Sequence, residues 1–157
     1  MAAPRILIAY YSRSGTTRRV ADSLAAALKC DIEEITEPRS RAGLFGYARS
    51  LMEARQKRAS IIAPAKRDPS SYDLIVVGTP IWGWSVSSPV RAYLIANRTR
   101  LPRVAFFRTL GGAGDKNALA QMQGLAGKAP DALCAITARE ASTGDFGPRL
   151  ADFVKEI

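Results

Sequence analysis

The segment that decides the fold is residues 6–28, ILIAYYSRSGTTRRVADSLAAAL. It opens on an apolar run without alternation, which is typical of a parallel strand buried on both faces. Residues 16–28 then show the spacing of an amphipathic helix, with Val20, Leu24 and Leu28 on one face. A strand that leads directly into a helix indicates an α/β fold. The hydroxyl-rich turn between the two needs a separate explanation.

The rest of the chain repeats this alternation of strand and helix. Strands are predicted at 6–10, 31–35, 74–78, 104–109 and 133–137, and helices at 16–28, 44–58, 88–97, 115–125 and 148–157. Ser88 and Asp115 are the expected N-caps of their helices. We therefore predict a single domain over residues 1–157, a doubly wound α/β fold with a five-stranded parallel sheet and helices on both faces.

The composition excludes several classes of protein. The 157 residues include no histidine, which rules out Ser–His and Cys–His nucleophile pairs and an ordinary zinc site. Cys30 and Cys134 stand in separate apolar contexts, so we expect small core residues rather than a disulfide. The first apolar run is too short for a signal sequence or a membrane span, which favours a soluble cytoplasmic protein. Chemistry near neutral pH would then depend on a cofactor.

The charge is strongly basic and unevenly distributed. Lys and Arg number 23 against 14 acidic residues, a formal net charge of +9. Residues 39–67 hold eight basic residues and one acid, Glu53, and residues 74–114 hold five arginines and no acid. One interpretation is a solubilising surface. The others are an anionic cofactor or substrate, an acidic protein partner, or nucleic acid.

The predicted helix at 44–58 carries much of this charge. Its apolar residues lie on one side and its arginines on the other; the apolar set is Leu44, Ala48, Leu51 and Met52. Glu53 can pair with Arg49 or Lys57 at four-residue spacing. Most of the positive charge is expected to remain unpaired, and we predict a docking face for an acidic partner or a polyanionic ligand.

The turn at residues 12–17, SRSGTT, has the composition of an anion-binding loop. Four hydroxyls and a glycine stand where the first helix begins, and the N–H groups of a helix N-terminus favour a phosphate. An ordinary Ser/Thr-capped turn is the alternative. The loop has neither the glycine spacing of a GxGxxG fingerprint nor the Gly-Lys-Ser/Thr end of a Walker loop.

Three loops together resemble those of the flavodoxins. SRSGTT is similar to the flavodoxin phosphate loop, and GTPIWGWSVSSPVRAYL at residues 78–94 resembles the flavin-stacking loop and following helix of the flavodoxin-like superfamily, including its quinone reductase branch. TLGGAGD at residues 109–115 resembles the loop that borders the isoalloxazine on its other side. The resemblance implies non-covalently bound FMN and the strand order 2-1-3-4-5.

The resemblance also implies three sets of cofactor-binding residues. The phosphate set is Ser12, Arg13, Ser14, Gly15, Thr16 and Thr17. The ring-packing set is Thr79, Pro80, Ile81, Trp82, Gly83 and Trp84. The third-loop set is Thr109, Leu110, Gly111, Gly112 and Asp115. Trp82 is the expected stacking ring; for Trp82 and Trp84 the alternative is a place in the core, and Asp115 is explained more simply as a helix N-cap. No catalytic residue and no metal ligand is assigned.

Two departures from the family pattern bear on function. Electron-carrier flavodoxins are acidic, whereas this chain is basic, and its third loop offers no aromatic ring, which leaves one flavin face open or covered by another group. Arg108, just before that loop, is expected either to reach solvent or to point toward the ring edge.

Three functions follow from these observations. The first is an FMN-binding redox protein of flavodoxin type, an electron carrier. The second is an FMN-dependent NAD(P)H or quinone reductase, and the third is a non-redox binding module with a basic surface. The expected partner is a redox protein or a small-molecule electron acceptor, acidic or anionic, rather than nucleic acid. Both a monomer and a dimer are consistent with the sequence.

Overall fold

The computed structural model describes residues 3–111 and 115–157, without the side chain of Asp115. The predictions for Gly112 and for the Asp115 side chain therefore lie outside the described residues. The strands are β1 Ile6–Tyr10, β2 Asp31–Glu34, β3 Leu74–Trp82, β4 Ser85–Val86, β5 Arg103–Leu110 and β6 Leu133–Thr137. The helices are α1 Thr16–Leu28, α2 Gly43–Arg55, α3 Ser88–Asn97, α4 Asp115–Ala126, α5 Ala138–Thr143 and α6 Gly147–Glu156.

Five parallel strands form the sheet in the order β2-β1-β3-β5-β6, which confirms the predicted 2-1-3-4-5 arrangement. A further short strand, β4, pairs antiparallel with the end of β3. The carboxyl ends of β1, β3 and β5 are neighbours at one edge of the sheet. The loops after these strands are the three that resemble flavodoxin loops, so the topology brings all three to the same edge.

The two faces of the sheet bury separate cores. Alternate residues such as Ile75 and Phe106 pack on one face beneath α2, α3 and α4. Their neighbours Val76 and Phe107 pack on the other face beneath α1, α5 and α6. Cys134 lies in the second core, and Cys30 is half-buried at its margin; both are free.

The sequence prediction is wrong at two boundaries near β3. The strand continues past Gly78 to Trp82, because a two-residue turn at Gly83 and Trp84, both with positive φ (52° and 63°), folds β4 back on it. Such a turn is the usual connection of a tight hairpin. The N-cap of α3 is Ser87, whose backbone is extended; Ser88 is already helical and donates a hydrogen bond to Glu53 (3.1 Å).

The orientation of α2 is the unexpected feature of the fold. Its large apolar side chains face solvent: Leu44 is 81% exposed, Phe45 92% and Met52 50%. Its buried face is made of small residues, Gly46, Ser50 and Ala54. A surface helix ordinarily turns its apolar side to the core, so α2 is reversed for three of its four predicted apolar residues; the fourth, Leu51, packs against the core.

The reversal is explained by the buried guanidinium of Arg41, which precedes α2. It donates to both carboxylate oxygens of Glu37 (2.6 and 2.8 Å), to Glu53 (2.6 Å) and to the hydroxyl of Ser50 (3.2 Å). A Cβ on Gly46 would lie 2.0 Å from the Arg41 carbonyl oxygen, so only glycine lets the helix approach this closely. The polar face of α2 must point inward to satisfy the guanidinium.

Of the two predicted partners of Glu53, Arg49 and Lys57, the structure pairs it with Arg49, with 3.4 Å between the Arg49 Nε and the Glu53 carboxylate. Arg49 also approaches Glu37 (3.8 Å). Burial by itself raises the pKa of Glu53. The hydrogen bond from Arg41 and its positive charge lower that pKa by more than burial raises it, so the net shift is downward. Within residues 39–67, Arg41 and Arg49 therefore form internal ion pairs, and Arg67 pairs with Asp31 (3.5 Å) at the surface.

We predict that Arg41→Ala lowers the free energy of unfolding by about 3–5 kcal/mol, because it leaves two carboxylates without their buried partner. Arg39→Ala is the matched control, since Arg39 is exposed, and should change stability by less than about 0.5 kcal/mol. Urea unfolding at pH 7 measures both. Equal losses in the two variants would contradict the assigned role of Arg41.

The difference in stability between the wild type and Arg41→Ala is expected to depend on pH. A carboxylate whose pKa is lowered by folding stabilises the protein above its ordinary pKa, 4.5 for Glu53, and this contribution is lost as the pH falls through the folded-state value. The stability gap between wild type and Arg41→Ala should therefore narrow below pH 4.5. A gap that stays constant on acidification would contradict it.

Candidate functional site

A groove of about 150 Å³ opens at the carboxyl ends of β1, β3 and β5. The described residues that line it come from all three predicted loops, from α2 and from the start of α5. They are Ser12, Arg13, Ser14, Thr16, Thr17, Tyr47, Ser50, Leu51, Pro80, Ile81, Trp82, Thr109, Leu110, Gly111 and Ala138. The structure thus brings most of the predicted cofactor-binding residues together.

The loop after β1 presents hydroxyls and the N-terminus of α1. Gly15 occupies the N-cap position with φ +98°, a conformation that favours glycine, and it has no side chain with which to cap the helix. The Ser12 hydroxyl accepts the Gly15 N–H (3.1 Å), and the hydroxyls of Ser14 and Thr16 lie 3.4 Å apart. A loop with these donors matches the requirements of a phosphate.

A buried hydroxyl pair joins the first loop to the third. The side-chain oxygens of Thr17 and Thr109 lie 2.8 Å apart, between the start of α1 and the end of β5. Arg108 alternates with Thr109 along β5 and lies on the opposite face of the sheet. At 4% exposure Arg108 does not reach solvent, so that interpretation of its place at the strand end is wrong.

Trp82 belongs to both the core and the groove wall. Its side chain is 8% exposed, and Tyr11 meets it edge-on with 5.7 Å between ring centroids. The Arg41 guanidinium lies over the indole, 5.0 Å from the ring centroid. Burial and the nearby charge of Glu37 raise the pKa of Tyr11 to about 12, so this phenol stays neutral. One face of Trp82 is therefore covered by a cation from the protein itself.

Three residues of the second loop lie outside the described lining of the groove. Thr79 is fully buried, and its hydroxyl contacts that of Ser87 (2.9 Å), which fastens the end of β3 to the start of α3. Gly83 and Trp84 form the hairpin tip. Trp84 is 53% exposed, and its carbonyl accepts a hydrogen bond from Asn117 (2.9 Å).

Sequence reasoning missed the part of the groove that α2 provides, namely Tyr47, Ser50 and Leu51. Arg13 connects α2 to the first loop: its guanidinium donates to the carbonyls of Arg41 and Gly43 (3.2 Å each) and lies 5.4 Å from the centroid of the Tyr47 ring. Leu51 belongs to the predicted apolar set, but the other members of that set face solvent, so the apolar pattern does not place Tyr47 and Ser50 at the groove.

The described lining has a clear division of chemistry. Hydroxyls and helix N–H groups gather at the loop after β1, while the remaining wall, from β3, α2 and β5, is mostly aromatic and aliphatic and also includes Ser50 and Thr109. The described lining residues include no carboxylate. Such a groove suits a ligand with an anionic group at one end and a flat apolar body.

These features define a class of protein, the doubly wound α/β proteins that bind an anionic ligand at the topological switch point of the sheet. The flavodoxin family model matches residues 5–134, which is most of the chain. The protein belongs to the flavodoxin family.

Solved structures of the same fold extend the comparison. A flavoprotein from Lactobacillus acidophilus in complex with FMN is 22% identical, with a TM-score of 0.72 over 90% of this chain and 98% of that one. Oxidised flavodoxin 1 from Bacillus cereus is 17% identical, with a TM-score of 0.55 over 98% and 99% of the two chains. The apo form of an NADH:FMN oxidoreductase is also 17% identical, with a TM-score of 0.56 over 96% and 87%.

Curated protein sequences give no significant match. Among the helices in residues 3–111 and 115–157, none is long and apolar enough to cross a membrane.

We predict that the two tryptophans differ in accessibility. In the cofactor-free protein, Trp84→Phe leaves only the buried Trp82, and Trp82→Phe leaves only the exposed Trp84. Acrylamide should quench the fluorescence of the Trp84→Phe variant less than that of the Trp82→Phe variant. Equal quenching would contradict the placement of Trp82 beneath Arg41.

Proposed function

We propose that the groove binds FMN and that the protein is an electron carrier of flavodoxin type. The observation that carries the proposal is the hydroxyl loop at residues 12–17, at the start of an α1 whose N-cap is a glycine, facing a groove with apolar walls. Bound FMN would supply redox chemistry that the side chains of the groove do not provide. The protein's own residues would bind, orient and partly cover it.

The loop after β1 is suited to hold the phosphate. Ser12, Ser14, Thr16 and Thr17 offer hydroxyls, and the first N–H groups of α1 have no partners within the helix itself. The hydrogen bond from Gly15 to Ser12 and the contact between Thr17 and Thr109 restrain the loop before ligand arrives. A restrained loop binds an anion with a smaller entropy cost than a loop that must order on binding.

The rest of the groove is suited to a planar ring. Ile81, Trp82 and Leu110 provide apolar surface from the sheet edge, and Tyr47 and Leu51 provide it from α2. Tyr47 supplies the aromatic group that the third loop lacks. Its ring is 51% exposed, and the cation of Arg13 lies over it.

The comparisons support this proposal in two ways. The family is flavodoxin, and the similar flavoprotein from Lactobacillus acidophilus was crystallised with FMN. A second candidate, an FMN-dependent NAD(P)H or quinone reductase, is favoured by the likeness to the NADH:FMN oxidoreductase and by the strongly basic charge. The carrier is preferred because the family model that matches the chain is that of flavodoxin.

We predict that Ser14→Ala and Thr16→Ala each weaken FMN binding by about tenfold to a hundredfold, the effect of losing a hydrogen bond to a charged group, roughly 1.5–3 kcal/mol. Ser23→Ala, on the exposed side of the same helix, is the control and should leave affinity unchanged. Riboflavin lacks the phosphate and should bind poorly to every variant. Fluorescence titration measures all of these affinities, and equal affinity of the wild type for FMN and riboflavin would overturn the phosphate assignment.

The two candidate functions differ in one simple measurement. We expect NADPH, added to the FMN-loaded protein under anaerobic conditions without a partner reductase, to leave the flavin absorbance near 450 nm unchanged over minutes. Adding a reductase should then bleach it. Rapid bleaching by NADPH alone would favour the reductase over the carrier.

A further inference from the structure

The exposed side of α2 carries large apolar groups where a folded protein ordinarily places polar ones. Leu44, Phe45, Ala48 and Met52 form this surface, called here the α2 face. Scattered exposed apolar side chains are common, but several on adjacent turns of one helix mark an interaction site.

The exposure of the α2 face is built into the fold. Rotating α2 to bury Leu44 and Met52 would withdraw Ser50 and Glu53 from the Arg41 guanidinium, whose side chain is 1% exposed. Breaking such a buried ion pair is strongly destabilising, because it leaves a buried charge without compensation. The helix is therefore held with its apolar row toward solvent.

The α2 face borders the groove and the hairpin tip. Tyr47 and Leu51, on the same helix, line the groove. At the other end, the Arg55 side chain passes close to Gly83, with 3.3 Å between its Cγ and the position of a Cβ on that glycine. The adjacent Trp84 is exposed and holds a positive φ, an arrangement that costs free energy and is typical of functional positions.

The charge around the α2 face is positive. Arg55 ends α2 and Lys57 and Arg58 follow it; all three are exposed, and within the described part of the chain none of them makes an ion pair. The nearby carboxylates of Glu37 and Glu53 are already engaged by Arg41 and Arg49. The apolar row is thus followed, at the carboxyl end of α2, by cations whose nearest carboxylates are already paired with other arginines.

We propose that the α2 face is the docking surface for an acidic redox protein, whose apolar side chains cover Leu44, Phe45 and Met52 and whose carboxylates meet the surrounding cations. This inference rests on the proposed electron-carrier function, because it brings the partner to the rim of the groove. A second copy of the chain fits poorly: a twofold contact sets each patch against itself and would oppose like charges.

The test begins by identifying what touches the α2 face. A photoreactive benzophenone amino acid replaces Phe45, or Ile95 on α3 as an equally apolar exposed control (54% exposed), in cells that naturally produce the protein. We expect position 45, and not position 95, to cross-link to a protein that mass spectrometry identifies as acidic and carrying a redox cofactor. A cross-link to a second copy of this chain, to lipid, or to no molecule would overturn the proposal.

Binding of that purified partner to the FMN-loaded protein then tests whether apolar and charged contacts at α2 hold the two proteins together. Phe45→Ser and the double variant Arg55→Glu/Arg58→Glu should each raise the dissociation constant at low salt by about tenfold or more, and high salt should abolish the effect of the charge reversal. Lys66→Glu/Lys155→Glu makes the same charge change at exposed positions outside α2 and should have little effect. Equal weakening by both double variants would overturn docking at α2.

FMN titration of the same variants distinguishes a failure of the docking proposal from a failure of the proposed FMN-binding function. The α2-face variants should bind FMN as the wild type does, because none of the substituted residues lines the described groove. If FMN binds but the partner's affinity is unaffected by these variants, the docking proposal fails and the proposed function stands. If the wild type does not bind FMN, the proposed function itself fails.

Discussion

Burying the Arg41 guanidinium requires that carboxylates and hydroxyls be brought to its five N–H donors. Glu37, Ser50 and Glu53 meet this requirement, and two of them belong to α2. The same guanidinium lies over Trp82 at the groove wall. The buried charge of Arg41 thus fixes the rotation of α2 and packs against Trp82 of the second loop. It also decides which side chains of α2 face the groove and which face solvent.

The groove depends equally on contacts between loops that are far apart in sequence. Thr17 and Thr109 join the first and third loops, and Thr79 and Ser87 fasten the end of β3 to α3. Arg13 joins the first loop to the start of α2. Each contact is small, but together they place loop residues with the precision that elements of a rigid scaffold provide.

The sequence predicts the elements of this fold better than it predicts their environment. Buried parallel strands such as β1 leave a continuous apolar run, and α1 leaves a 3.6-residue period, so both are recognisable locally. The hairpin at Trp84 is not, since a tryptophan with positive φ contradicts ordinary turn preferences. The rotation of α2 about its axis depends on Arg41, whose burial no local sequence pattern reveals. For that reason the sequence does not predict that Tyr47 lines the groove.

The position of β1 between β2 and β3 has a consequence for biosynthesis. β2 follows after a single helix, whereas the pairing of Ile6 with Leu74 must wait until the ribosome has added the whole α2 segment. Pairing between distant parts of a chain is slow, and unpaired strand edges favour aggregation. In the interval the nascent chain exposes both an open edge of β1 and the apolar row of α2. During synthesis, the edge of β1 that pairs with β3 therefore stays open longer than the edge that pairs with β2.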